Sequence, residues 1–244
     1  NYKAVVSHKL GKTGVLATVS KEKQDYMKFK EANSKKHGKW ENANYDKVTA
    51  SVKIEQEIGD DQLATLLFDH SHKDGGRPGA VNSGSTADGN VLENNIALRY
   101  DWGKTSDNAG YVQMYRNYKN YRYFRDDSVF SKNNTKETNY GVDIQQAFKT
   151  ADNNTLIVGA NYNSSKVDSK FASDYGWGLS SGAYDRSINS KSVFVQDSYN
   201  FAKTWTLNAG ARYENHSTAG SKTVGSAAIN KKFNENVYRF INLL

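Results

Sequence analysis

Val48-Thr49-Ala50-Ser51-Val52-Lys53-Ile54-Glu55-Gln56-Glu57-Ile58 is the stretch whose reading decides the fold. Val48, Ala50, Val52, Ile54 and Ile58 lie on one side of an extended chain, and Thr49, Ser51, Lys53, Glu55 and Glu57 on the other. Alternation of this kind is a strand with one apolar and one wet face. Its length matches the ~9–11 residues that a tilted strand needs to cross a bilayer.

The pattern recurs along the chain. Trp205, Leu207, Ala209, Ala211 and Tyr213 oppose Thr206, Asn208, Gly210 and Arg212; Ile96, Leu98, Tyr100 and Trp102 oppose Ala97, Arg99 and Asp101. Tyr140, Val142, Ile144 and Phe148 oppose Gly141, Asp143 and Gln145, and Leu156, Val158, Ala160 and Tyr162 form a further apolar row. A one-residue slip would put charges on the apolar face, at ~2–4 kcal/mol for each Lys or Arg near a bilayer midplane. Leu63 to His72 and Gly110 to Phe124 alternate less cleanly, and the far half of the second is expected to rise above the membrane into a loop. No segment holds a 3.6-residue apolar period over three turns, which excludes a helical reading. About ten strands are visible, with an eleventh expected to begin near Ala228.

Turn signals give the strands an order. Short turns centre on Lys12, Asp60, Thr105, Asp152 and Lys203, at intervals of 48, 45, 47 and 51 residues. Between them lie polar stretches, at about 28–43, 74–90, 124–136, 167–188 and 216–227, that read as long loops. Short turns at one end and long loops at the other describe an all-β, antiparallel, up-and-down transmembrane β-barrel. A hydrophobic content of 37% and a mean hydropathy of −0.80 suit a wide barrel, in which only alternate residues meet lipid. The 16 Tyr and 4 Trp suit aromatic girdles, and the single Pro, Pro78, falls in a loop. The absence of Cys excludes disulfides and thiolate metal sites.

The net charge of +7 spreads 33 Lys and Arg among 26 acids. Lys21, Lys23, Lys28 and Lys30, followed by Lys35, Lys36 and Lys39, fit a solvated, lipopolysaccharide-facing loop better than a nucleic-acid site, and no nucleic-acid partner is expected. No run approaches the ~20 apolar residues of a membrane helix. The opening at Asn1-Tyr2-Lys3 lacks a signal peptide, so the chain reads as an excerpt of an exported protein.

Candidate sites are few. Tyr118, Tyr121, Arg122 and Arg125 in the Tyr/Arg-rich stretch could engage an anionic aromatic ligand through charge and cation–π contact, although an aromatic girdle with snorkelling cations explains them as well. Tyr175, Trp177 and Tyr184 offer similar stacking surface in the 167–188 stretch. His70 and His72, at i and i+2, are weak metal candidates without an evident third ligand; His8, His37 and His216 are isolated. Gly75-Gly76-Arg77-Pro78-Gly79 reads as a loop apex, since the Lys-Ser/Thr and helix of a phosphate cradle are missing. Arg99, Asp101, Asp143 and Arg212 face the inferred lumen, where they would contact a plug, stay wet or pair across strands. No catalytic motif is present; neither enzymatic activity nor a cofactor is expected.

The C-terminal quarter carries a family resemblance. Ser192-Val193-Phe194-Val195-Gln196-Asp197-Ser198-Tyr199, the turn Ala202-Lys203-Thr204, and Trp205 to Glu214 with Gly210, Arg212 and Tyr213 resemble a hairpin of TonB-dependent outer-membrane receptors. Lys231-Lys232-Phe233-Asn234-Glu235 is similar to the opening of the next strand pair. The resemblance implies a barrel of about 22 strands around a plug. It also implies uptake of an iron-siderophore, haem or cobalamin-type ligand with energy from the TonB complex, in contact with outer-membrane lipid and lipopolysaccharide. Residues 1–244 then read as one partial barrel domain without plug or closing half, and Asn236 to Leu244 departs from the expected continuation. A diffusion porin, to which the Leu243-Leu244 ending is ill suited, and a soluble β-rich adhesin are the alternatives.

Overall fold

The computed structural model describes residues 1–30, 37–40, 42–78, 86–104, 107–127, 129–234 and 237–243. Lys35, Lys36, Gly79, Thr105, Ser106, Glu235, Asn236 and Leu244 lie outside the described residues. Every regular element described is a strand. In chain order these are β1 (Tyr2–Leu10), β2 (Thr13–Gln24), β3 (Met27–Lys30), β4 (His37–Trp40), β5 (Tyr45–Ile58), β6 (Gln62–Gly76) and β7 (Asp88–Trp102). There follow β8 (Gly110–Asp126), β9 (Phe130–Ala151), β10 (Asn154–Asp174), β11 (Ser180–Ala202), β12 (Trp205–His216), β13 (Gly220–Asn234) and β14 (Val237–Leu243). Twelve form a single open antiparallel sheet in the order β1-β2-β5-β6-β7-β8-β9-β10-β11-β12-β13-β14, while β3 and β4 pair as a separate small hairpin.

The expected short turns at Lys12, Asp60, Asp152 and Lys203 lie at one end of the sheet, where β7 also ends and β8 begins, and Gly11, Gly59 and Gly103 take a left-handed conformation (φ 58°, 67° and 66°) open to glycine. The opposite end differs from the sequence expectation. Most of 124–136, 167–188 and 216–227 is not loop but paired strand, with tips of only three to five residues at 127–129, 175–179 and 217–219. β9, β10 and β11 run for 22, 21 and 23 residues, about twice what a bilayer needs. Gly75 and Gly76 likewise belong to β6, opposite Tyr45 and Asp88, and are not a loop apex. β13 begins at Gly220 rather than near Ala228, so Lys231 to Asn234 closes a strand instead of opening one. Val237–Leu243, despite its departure from the motif, pairs with β13 as β14. The physical reason is common to all: a backbone ladder is satisfied whatever the side chains are, so Asn, Ser and Lys sit as readily in a wet strand as in a loop.

Register confirms the two faces. Val15, Ile54, Leu66, Leu98, Met114, Val142 and Tyr162 form one continuous cross-strand row from β2 to β10, and the row then runs into Lys191 on β11. From β11 onward the apolar row is instead Val195–Ala211, four residues nearer the short turns. The band thus steps across the ladder, as it must where strands tilt against a flat membrane. Trp102 and Tyr100, then Phe201 and Trp205, mark its short-turn border; Tyr140 and Tyr162, 6.5 Å apart, mark the other. Ala43 and Ala87 are the only buried apolar residues among those described, whereas Ile96, Leu98, Met114, Val142, Ile144 and Val193 are exposed. The sheet has no core of its own, and its apolar face is surface made for lipid.

The face assignment is testable at adjacent positions. Leu98→Arg should destabilise the folded protein by ~2–4 kcal/mol in urea titrations from lipid vesicles, and Ala97→Arg on the wet face by well under half of that. Equal costs at the two sites would overturn the assignment.

Candidate functional site

The inner face is mostly polar across β6 to β9. Asp69, Asn95, Asn117 and Asn139 stand opposite one another on β6 to β9, and the next row outward from the short turns is Ser71, Glu93, Lys119 and Glu137. With Tyr115 and Gln113, all of these but Ser71 line a cleft of about 690 Å³. Lys119 lies 3.3 Å from Glu93. Nearer the short turns, Arg99 holds Asp101 through its Nε and Nη2 groups (2.7–3.0 Å) and stacks 3.8 Å above the Tyr111 ring. Asp143 accepts from Asn161 (2.8 Å), and Arg212 lies 3.5 Å from Glu214. The inner charges named from the sequence are therefore engaged along and across strands.

Above the cleft the inner face becomes aromatic and cationic. Lys73 sits 4.0 Å above the Tyr45 ring, the Arg77 guanidinium 5.3 Å above Tyr121, and Arg186 5.8 Å from Tyr184. Tyr121 and Tyr184 belong to a single row, Tyr121-Thr135-Ser169-Tyr184, across β8 to β11. The segment 42–44 folds against this end of the sheet: Gly76 N donates to Asn44 O (3.0 Å), Asn42 Nδ2 to Ala87 O, and Gln24 Nε2 to Ala43 O (3.3 Å). A second cleft of about 280 Å³ opens there between Met27, Tyr45, Lys73, Arg77 and Pro78. Gly75 and Gly76 make this packing possible, because a Cβ at either would overlap the 42–45 backbone.

The sequence-derived residues divide between surfaces. Tyr121, Arg125 and Tyr184 are on the inner face; Tyr118 and Arg122, by parity, are on the outer one with Met114 and Val112. Tyr175 and Trp177 stand at the β10–β11 tip, Trp177 with 95% of its surface exposed. His70 and His72 are also outward, in the rows of Ala50 and Val48. Each is engaged by an amide, His70 Nδ1 with Asn94 Oδ1 and His72 Nε2 with Asn90 Nδ2 (both 2.7 Å), and His72 is 3.0 Å from Asp74. Among the described residues no three His, Cys, Asp or Glu side chains gather to hold a metal. Lys73, Tyr45 and Arg186 were not singled out from the sequence, and Arg77 was named only as part of a loop apex. Parity counted upward from the apolar band would have placed Lys73, Tyr45 and Arg186 inside, but nothing in the sequence joins these distant segments.

The motif hairpin is explained by packing. Phe194 stands opposite Gly159 on the inner face, and a Cβ on that glycine would overlap its ring. Tyr115 covers Gly141 and Phe171 covers Gly182 in the same way, so aromatic rings repeatedly fill the space left by a facing glycine. Gln196 and Gly210 face each other on the inner side, Asp197 accepts from Asn154 Nδ2 (3.1 Å) near the short turns, and Tyr213 joins the lipid face beside Val193.

At the β8–β9 tip, Asp127 gathers three donors. Arg125 Nε reaches both carboxylate oxygens (2.9 and 3.0 Å), Val129 N donates at 3.0 Å, and Thr86 Oγ1 donates at 3.1 Å from the neighbouring loop. The Arg125 hydrogen bond first, then that of Val129, holds the carboxyl well below the usual carboxylate range.

Two outcomes follow from these contacts. Gly159→Val should destabilise by about 1–3 kcal/mol through overpacking, and Phe194→Ala in the same chain should recover part of it; additive losses in a double-mutant cycle would refute the pairing. Because the Asp127 pKa is depressed on folding, its stabilisation is present above the unfolded carboxylate value and is lost only as pH falls through the lower folded value. Hydrogen exchange at Val129, corrected for its intrinsic rate, should therefore stay protected from neutral pH down to about pH 4, and lose protection in Asp127→Ala.

With this geometry established, the comparisons are consistent. The family model "TonB dependent receptor-like, beta-barrel" matches residues 35–241, a span that includes most of β14. No curated protein sequence matches the chain. Among solved structures, the ferripyoverdine receptor of the outer membrane of Pseudomonas aeruginosa superposes with a TM-score of 0.75 at 12% identity, over 95% of this chain and 38% of that one. The FrpB iron transporter from Neisseria meningitidis gives 0.74 at 17% identity, over 96% and 43%. The copper transporter OprC gives 0.73 at 13%, over 96% and 40%. At these identities the likeness is one of fold, and the chain spans about two fifths of each neighbour's length. The inner and outer faces, the stepped apolar band and the family match together make this chain a member of the TonB-dependent receptor β-barrel family, whose members are outer-membrane receptors and transporters.

Proposed function

We propose that residues 1–244 are one stretch of the barrel of a TonB-dependent receptor that captures an anionic, aromatic-bearing iron chelate, a ferric siderophore, for energy-coupled import. The observation that carries this reading is the set of three cation–aromatic pairs, Lys73–Tyr45, Arg77–Tyr121 and Arg186–Tyr184, on the inner face above the wet cleft. Cations held over rings offer both charge and stacking surface to a ligand that is negative and flat. Cobalamin would use less of that charge. Haem would use it, but the two paired histidines stand on the other side of the sheet. Trp177 and Tyr175 at the exposed tip would make first contact, with Arg125 held near the entry by Asp127. Import would draw on the TonB complex through a plug segment of the receptor, as the family implies. The iron receptors among the structural neighbours support an iron ligand, although the copper transporter shows that the fold does not dictate one.

Binding of radio-iron chelates to outer membranes carrying the receptor tests the proposal. Tyr121→Ala and Lys73→Gln should each weaken a ferric catecholate by roughly 3- to 30-fold and leave a neutral ferric hydroxamate unchanged. Saturable uptake of copper or peptide, with no ferric chelate bound, would overturn it.

A further inference from the structure

The wet cleft on the inner face of β6 to β9 holds polar groups that the cation–aromatic rim above it does not use. Asn95, Asn117 and Asn139 stand side by side on β7, β8 and β9, so their amides repeat at the strand spacing of about 4.8 Å. Each carries one acceptor and two donors, and none of the three makes a side-chain hydrogen bond among the described residues. Neighbouring amides on the same face are engaged: Asn161 donates to Asp143 and Asn163 to the Tyr115 hydroxyl, both at 2.8 Å. The carboxylates divide in the same way. Glu55, Asp101, Asp143 and Glu214 each have a partner on the inner face. In the cleft, Lys119 is 3.3 Å from Glu93, whereas Asp69 and Glu137 have no cationic partner among the described residues. The unengaged groups are gathered in one concavity of about 690 Å³, and polar groups that converge in a preformed cleft are what fixes a ligand there.

Charge changes sign between rim and cleft. Lys73 and Tyr121 lie in one row, and Asn117 is four residues nearer the short turns than Tyr121 on the same strand and face. At about 7 Å for two residues of strand, the amide row stands roughly 14 Å below the rings. The rim is positive, with Lys73, Arg77 and Arg186, while the cleft sets three carboxylates against Lys119. A wholly anionic ligand would be attracted at the rim and repelled below it. A ligand that fills both needs an anionic end above, and below it hydrogen-bonding groups with a positive charge.

We propose that the cleft is the lower half of the ligand site and takes an amide-linked scaffold with a free ammonium group, of the lysine or ornithine type. Asn95, Asn117 and Asn139 bond the scaffold amides and Asp69 and Glu137 hold the ammonium, while the aromatic chelating groups stay among the rings of the rim. The proposal rests on the reading of the rim as a site for an anionic, aromatic iron chelate, and narrows that class to chelates with a cationic far end.

The test compares two radio-iron complexes on outer membranes carrying the receptor: the iron(III) complex of 2,3-dihydroxybenzoyl-lysine amide, and the same complex acetylated on the lysine amines. A hydrogen bond to a charged group is worth roughly tenfold or more in affinity, so the amine form should bind at least about tenfold tighter. The rim alone, being positive, would favour the acetylated and more anionic complex. The Asp69→Asn, Glu137→Gln variant should bring the ratio of the two affinities to about one or below. Tyr121→Ala, and separately the Asn95→Ala, Asn117→Ala, Asn139→Ala variant, should weaken both complexes and keep the preference for the amine. Heat-modifiable migration shows that each variant is folded. Equal binding of the two complexes by wild type, or an amine preference that survives in the Asp69→Asn, Glu137→Gln variant, would overturn the assignment of the cleft and leave the rim reading standing. Saturable binding of neither complex would overturn both.

Discussion

Everything in this molecule depends on one constraint: backbone N–H and C=O groups in hydrocarbon have no water to bond to and must pair with one another. The twelve-stranded ladder meets it for every interior strand. Because the ladder is made of backbone, side chains are released from holding the fold together, and the sheet manages with Ala43 and Ala87 as its only buried apolar residues among those described. A soluble protein of this size would need a two-sided core. Here the apolar side chains lie on the surface and solvation by lipid takes the place of the core. The same constraint applies to the outer edges of β1 and β14, which in a bilayer require further paired strands.

The constraint also explains how far the sequence could be read. Within the membrane the solvent imposes a strict two-residue period, so Val48–Ile58 and Trp205–Tyr213 announced both their strands and their faces. Above the membrane both faces are wet and the period disappears. Asn133, Thr135, Glu137 and Asn139 then look like loop, although they continue β9 in perfect register with β8 and β10. Turn residues mark the short-turn end reliably, because Gly11, Gly59 and Gly103 are needed for their left-handed φ. The aromatic–glycine pairs were invisible, since Gly159 and Phe194 are far apart in the chain and meet only through register.

The same limit divided the candidate site. The stretch Tyr111 to Arg125 read as one aromatic and basic surface, but it is a strand, and parity sends Tyr121 and Arg125 inward while Tyr118 and Arg122 go outward. Tyr121 meets Arg77 from the segment after β6, while the Lys73–Tyr45 and Arg186–Tyr184 pairs lie on β5, β6 and β11, so no local pattern joins the three pairs. The net charge of +7 is likewise uninformative until it is divided by face.

That division shows why the long strands matter. A ligand site built on loops would have to be ordered at the moment of binding, at an entropic cost for every residue fixed. In this chain most of the rings and cations above the bilayer, Tyr45, Lys73, Tyr121, Tyr184 and Arg186 among them, are carried on strands that remain paired almost to their tips, with twenty register pairs between β10 and β11 alone. The ordering has been done by the ladder during folding. Each strand then presents two prearranged surfaces at the same height, one on either side of the sheet. Alternation makes the two independent: a substitution at an even position of β8 alters the outer surface and leaves its inward neighbours in place. A single rule of strand geometry thus lets one face of the sheet change without disturbing the other.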